Sequence, residues 1–144
     1  MLPKENGQEN LKKKYKFIYL ISPNKIYYNF YKDLKGIFQT KKIKYFQLRL
    51  KQFSPIKIIK IANKIKKICK SHKVKFIIND DPVIAKKVGA DGCHIGQSDI
   101  SINEARKIIK NKIIGVTCHN SIYKAKIAIA NNADYIAIGA FNKS

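Results

Sequence analysis

Short apolar runs alternate with stretches of helical periodicity along most of the chain. The runs fall at about 15–21, 43–50, 74–79, 91–95, 112–118 and 134–139, bounded by Gly, Asn and Asp. Runs of this length suit strands buried on both faces, as in a parallel sheet. Between them the spacing becomes helical. Ser54-Pro55 offers an N-cap and a first-turn proline, and Ile58, Ala62, Ile65 and Cys69 then form one apolar stripe, with Lys57, Lys60, Lys64 and Lys67 off it. Ser101-Ile102-Asn103-Glu104 fits a capping box ahead of Ala105, Ile108 and Ile109. Segment 121–131 predicts a third helix, and 27–39 and 82–88 carry weaker versions of the pattern.

Repeated strand–helix units predict an α/β domain with a parallel sheet. An internal echo sharpens this: Ala90-Asp91-Gly92-Cys93-His94-Ile95-Gly96 resembles Ala133-Asp134-Tyr135-Ile136-Ala137-Ile138-Gly139, two units further on. Such an echo suits a closed barrel, whose alternate strands fill the same interior layers. The competing arrangement is an open doubly wound sheet, but no Gly-x-Gly-x-x-Gly follows the first strand.

Composition narrows the partners. The 144 residues carry a net charge of +21 and are 45% hydrophobic, enough for one domain with a real core. Such a charge raises nucleic acid as a partner. However, only Arg49 and Arg106 are arginine, and lysine is spread along the whole chain. Arginine is the residue favoured for bidentate phosphate and base contacts. The lysines therefore read as solvated faces in a Lys-, Ile- and Asn-rich composition, and neither nucleic acid nor membrane is expected as a partner. No apolar run approaches the ~20 residues that span a bilayer. Residues 1–14 read as a disordered basic tail without a signal-peptide core, ahead of a domain over 15–144. Cys69, Cys93 and Cys118 form no Cys-x-x-Cys and read as small buried hydrophobes in a reducing compartment, hence the cytoplasm.

Candidate chemistry collects at the ends of the runs. Asp80 and Asp99 each lie just beyond one of two consecutive strands, in a chain with only nine acids. The pair suggests a divalent-metal site, because Mg²⁺ favours one or two carboxylates together with substrate phosphates. Asp81-Pro82 reads more simply as a helix cap. In Gln47-Leu48-Arg49-Leu50-Lys51 the polar residues share one face. Arg49 and Lys51 suit a diphosphate, although an exposed edge strand would also carry such residues. Thr117 and His119 share a face after the fifth strand. His119 and His94 are candidate acid–base groups or ordinary rim residues.

These motifs, in order and spacing, resemble thiamine-phosphate synthase, also called thiamine-phosphate pyrophosphorylase. The residues carrying the resemblance are Gln47 through Lys51, Ile78-Asn79-Asp80, Gly89 through Asp99, Ile114 through His119, and Ala133 through Gly139. The resemblance implies a (β/α)₈ barrel of the TIM type and an enzyme that joins hydroxymethylpyrimidine diphosphate to a thiazole phosphate, giving thiamine phosphate and diphosphate. It also implies that the strand Gln47, Leu48, Arg49, Leu50, Lys51 and the neighbouring Asn79 bind the pyrimidine diphosphate. Arg49 and Lys51 would be catalytic, Asp80 and Asp99 would hold Mg²⁺, and Thr117, where the family usually has Ser, would contact the pyrimidine.

Two departures stand out. Gly139-Ala140-Phe141-Asn142-Lys143-Ser144 replaces the family's Gly-Pro-x-x-x-Thr-x-Thr-Lys, with Ser144 at the first hydroxyl position. Six of eight strand–helix units are expected in this length, so the sequence reads as C-terminally incomplete. Its activity alone and its oligomeric state are left open. Two rivals remain: a thiazole tautomerase-like relative, which lacks the metal pair, and a non-catalytic basic binding protein.

Overall fold

The structure, a computed structural model, describes residues 16–139. Six strands alternate with five helices: β1 (Ile18–Ile21), α1 (Phe30–Gln39), β2 (Ile43–Leu48), α2 (Pro55–Ser71), β3 (Lys75–Asn79), α3 (Pro82–Val88), β4 (Gly92–Ile95), α4 (Ile102–Ile109), β5 (Ile113–His119), α5 (Ile122–Ala130) and β6 (Tyr135–Ile138). All neighbouring strands pair in parallel, in the order β1-β2-β3-β4-β5-β6. A doubly wound sheet would reverse its order part-way, so that alternative is excluded. Among the described residues β1 and β6 pair on one side only, yet the Tyr19 and Tyr135 side chains, from these two strands, meet. The sheet is therefore curled, with its concave side enclosing a polar and aromatic interior.

Local signals account for the element ends. The Ser54 hydroxyl accepts from Lys57 N, and Pro55 sits at the first helical position. Asp81 caps α3 by accepting from Ile84 N at 2.8 Å, so the simple reading of Asp81-Pro82 holds. Ser101 and Glu104 form the full capping box. Residues 1–14, Ala140 and Ser144 lie outside the described residues.

One core fills the space between sheet and helices. Phe30, Leu34 and Phe38 of α1, Ala62, Ile65 and Cys69 of α2, and Phe46, Phe76, Cys93 and Ile114 of the strands are all buried there. A second, smaller packing lies inside the curl, where Tyr19 stacks on Tyr45 at 5.6 Å and Tyr135 lies 6.4 Å from Tyr45. Among the described residues no helix is long and apolar enough to cross a membrane.

The internal echo has a specific structural cause. Asp91 N donates to Phe76 O while Phe76 N donates to an Asp91 carboxylate oxygen, at 2.8 and 2.9 Å. Asp134 repeats the arrangement with Ile114, both bonds at 2.8 Å. Each aspartate thus clasps the start of the preceding strand and sets its register. Lys75 and Arg106 pair with the two carboxylates, at 3.2 and 2.8 Å.

Candidate active site

All the strands point the same way, so their C-terminal ends form one rim, and the polar residues of the sequence motifs gather there. β3 ends at Asn79, and Asp80 follows with a left-handed φ of 65°. That conformation is uncommon outside glycine, although Asp tolerates it better than most. It is held by Asp80 N donating to His94 O at 2.7 Å. Asp99 folds back over the end of β4, where its carboxylate accepts from Gly96 N at 2.6 Å. A Cβ on Gly96 would come within 2.9 Å of that oxygen, so glycine is what lets the acid approach.

The two carboxylates face each other. Burial raises the Asp80 pKa above its ordinary value, and the charge of Asp99 and a hydrogen bond to it raise it further. Lys51 and Arg49 pull it back down. Four residues singled out in the sequence therefore share one electrostatic neighbourhood. No cluster of three or more His, Cys, Asp or Glu that could cage a metal occurs among the described residues. Two mutually repelling carboxylates beside cationic side chains nevertheless match the donor set that Mg²⁺ takes when phosphate oxygens complete its shell.

A cavity of about 470 Å³ inside the curl is lined by Tyr19, Gln47, Arg49, Asn79, His94 and Thr117, with Tyr135 through Gly139 along one side. Asp80 and Asp99 lie outside this lining, and Asp99 lines a separate pocket with Gly96, Ser101 and Lys124. Arg49 sits just past the end of β2. Its backbone N donates to the Ser22 hydroxyl at 2.9 Å and its guanidinium to Asn24 Oδ1 at 3.3 Å. Lys51, in the loop before α2, is exposed and lines an adjoining cleft with Asn24, Lys25, Phe53 and Lys57. The Leu48 and Leu50 side chains lie in the core behind the sheet rather than at the cavity. Of that alternating segment only Gln47 and Arg49 line the cavity. His119 is exposed at the end of β5, with φ at 51°.

Sequence reasoning missed a buried polar chain inside the curl. Gln47, 2% exposed, donates through Nε2 to Tyr19 OH at 2.9 Å. Tyr19 OH and Tyr135 OH are 2.5 Å apart. Tyr135 OH lies 2.9 Å from His94 Nδ1, and His94 Nε2 lies 2.7 Å from Thr117 Oγ1. Burial pushes the His94 pKa from 6.5 down to about 4, despite the opposing charge of Asp99. Burial also raises both tyrosine pKa values. The echo held a clue to this chain: where β4 has Gly92 and His94, β6 has Tyr135 and Ala137, so a large residue on one strand faces a small one on the other.

Comparison with known proteins adds to this geometry. Residues 18–144 match the family model described as thiamine monophosphate synthase. The chain belongs to that family. It is 63% identical over 127 residues to the thiamine-phosphate synthase of Pelagibacter ubique, covering 88% of this chain and 61% of that protein. It is 38% identical over 127 residues to that of Erythrobacter litoralis, 60% of which is covered. The chain thus spans about three-fifths of the length of these thiamine-phosphate synthases. Among solved structures, the thiamine phosphate pyrophosphorylase of Pyrococcus furiosus superposes with a TM-score of 0.79 at 23% identity, over 88% of this chain and 61% of the other. The curled parallel sheet is therefore that protein's fold over the shared portion.

Proposed function

We propose that the protein is a thiamine-phosphate synthase, in which the six strand–helix units described here are part of a (β/α)₈ barrel. It couples hydroxymethylpyrimidine diphosphate with a thiazole phosphate, releasing diphosphate. One observation carries this reading: Asp80, Asp99, Arg49 and Lys51 share one electrostatic neighbourhood, and Arg49 also lines a cavity with Gln47, Asn79 and Thr117. A tautomerase-like relative would not need the opposed carboxylates.

In the proposed reaction the bond between the pyrimidinylmethyl carbon and the diphosphate oxygen breaks, and both electrons leave with the diphosphate. The thiazole nitrogen then gives its lone pair to the carbocation, forming the new C–N bond. Arg49 and Lys51 hold the diphosphate and stabilise the charge that builds on it as the bond breaks. Arg49 supplies a planar fork and Lys51 a compact charge. Asp80 and Asp99 would hold Mg²⁺, which when bound neutralises part of the diphosphate charge. Gln47, Asn79 and Thr117 line the cavity with Arg49 and orient the pyrimidine end. The three buried thiols fit a reducing compartment, and we place the enzyme in the cytoplasm. The test is a coupling assay on purified protein comprising the whole proposed barrel, with both substrates, with and without Mg²⁺. Thiamine phosphate formed only when the metal is present supports the reading, and absence of product under any metal condition overturns it.

A further inference from the structure

The five-residue polar chain crosses the curl from β2 through β1, β6 and β4 to β5, and each hydroxyl in it has one hydrogen to give. The end groups decide which way the hydrogens run. A side-chain amide nitrogen only donates, so Tyr19 OH accepts from Gln47. If Tyr135 also donated to Tyr19, the Tyr19 hydrogen would have no acceptor in this half-buried place, where an unmet donor is costly. Tyr19 therefore donates to Tyr135, and Tyr135 donates to His94 Nδ1. A bare Nδ1 leaves the ring hydrogen on Nε2, which donates to Thr117 Oγ1 across 2.7 Å. A doubly protonated ring would send the Tyr135 hydrogen back to Tyr19 and break the scheme.

We propose that Gln47, Tyr19, Tyr135 and His94 form a one-way hydrogen-bond relay that fixes His94 as the Nε2–H tautomer and turns the Thr117 hydroxyl hydrogen toward the cavity. Thr117 then meets a ligand as a donor, suited to a ring nitrogen lone pair or a phosphate oxygen. Tyr19 and Tyr135 are positioning residues that act through His94. A second feature shows that the site is built around this arrangement. A Cβ on Gly115, beside Thr117 on β5, would overlap the Tyr135 ring, with its nearest atom 1.9 Å away. Only glycine leaves room for Tyr135 to reach both phenolic and imidazole partners.

The donor role of Thr117 toward substrate rests on the synthase reading. The relay itself does not, and it is tested on the ligand-free protein. Histidine is labelled with ¹⁵N, and the ring protonation of His94 is read by NMR near neutral pH, with His72 and His119 assigned by substitution. The expected result is a neutral Nε2–H ring with an accepting Nδ1. Gln47→Glu replaces the donor at the head of the chain with an acceptor and should reverse every link, moving His94 to the Nδ1–H tautomer from two phenols away. Tyr135→Phe cuts the chain and should leave a mixture of tautomers. An Nδ1–H or doubly protonated His94 in the unmodified protein overturns the relay, as does a tautomer indifferent to Gln47→Glu in a folded variant. Failure of the coupling assay with the tautomers as expected would count against the synthase reading alone.

Discussion

The two rims of the sheet each carry a pair of aspartates, in opposite circumstances. At the N-terminal rim Asp91 and Asp134 each accept a backbone N–H from a neighbouring strand and lie beside a cationic side chain. Their charge is matched, and they hold strands in register. At the C-terminal rim Asp80 and Asp99 are pressed against each other, and the Asp80 pKa is raised. Asp80 also has a left-handed backbone. An acid that is satisfied where it stands is part of the scaffold. An acid kept near another acid at some cost in stability is kept for something else, and strained or electrostatically frustrated residues concentrate at functional sites.

If this contrast is right, exchanging the rims' roles by mutation should separate activity from stability. The largest effect belongs to Asp80→Asn, which removes the charge and keeps a side chain that tolerates the left-handed backbone. We expect coupling activity to fall by two to three decades, roughly the loss seen when one charge-stabilising group is removed. The circular-dichroism spectrum and thermal midpoint should be unchanged or improved, and a variant that unfolds instead would break the contrast. Arg49→Lys keeps the charge but loses the fork. Diphosphate affinity, read by calorimetry, should drop by about one to two decades, and unchanged affinity would detach Arg49 from the site.

At the other rim, Asp91→Ala leaves the buried Phe76 N–H without its side-chain acceptor. Chemical denaturation should register a loss of about 1–3 kcal/mol, little of it from the exposed Lys75 pair. Mg²⁺ binding by the folded fraction should be untouched. The smallest effect, and the sharpest in sign, comes from Asp99→Asn. A raised folded-state pKa means that the native protein holds the Asp80 proton more tightly than the unfolded chain does. Stability is then lost as pH rises through the carboxylate range. Removing the Asp99 charge should therefore raise the metal-free thermal midpoint at neutral pH and leave it unchanged well below the carboxylate range. A midpoint that falls at neutral pH would mean the carboxylates do not oppose each other.

The elements were legible in the sequence because each states its own boundaries. Ser54-Pro55, Asp81-Pro82 and the Ser101–Glu104 box are local devices, and the apolar runs between them have strand length. The end of β2 was less legible. The polar alternation continues to Lys51, but the ladder stops at Leu48. There β1 gives way to Ser22-Pro23. Proline has no N–H to extend a ladder, and the Ser22 hydroxyl takes Arg49 N in place of a backbone carbonyl. Leu48 and Leu50 consequently turn into the core while Arg49 reaches the cavity. The polar chain was legible only as the large-for-small exchange in the echo, since it joins Tyr19 to Tyr135 across 116 positions. Each of those tyrosines alone reads as an ordinary strand residue. Asp80 and Asp99 could be paired in advance only because they follow consecutive parallel strands.

The aspartate clasps also bear on how faithfully the chain folds. A strand sliding by one residue would turn every side chain to the opposite face. His94 and Thr117 would then leave the cavity for the apolar helix side, where polar groups without partners are costly. Asp91 and Asp134 are proofreading devices against that error, because a slipped strand would carry its N–H away from the waiting carboxylate.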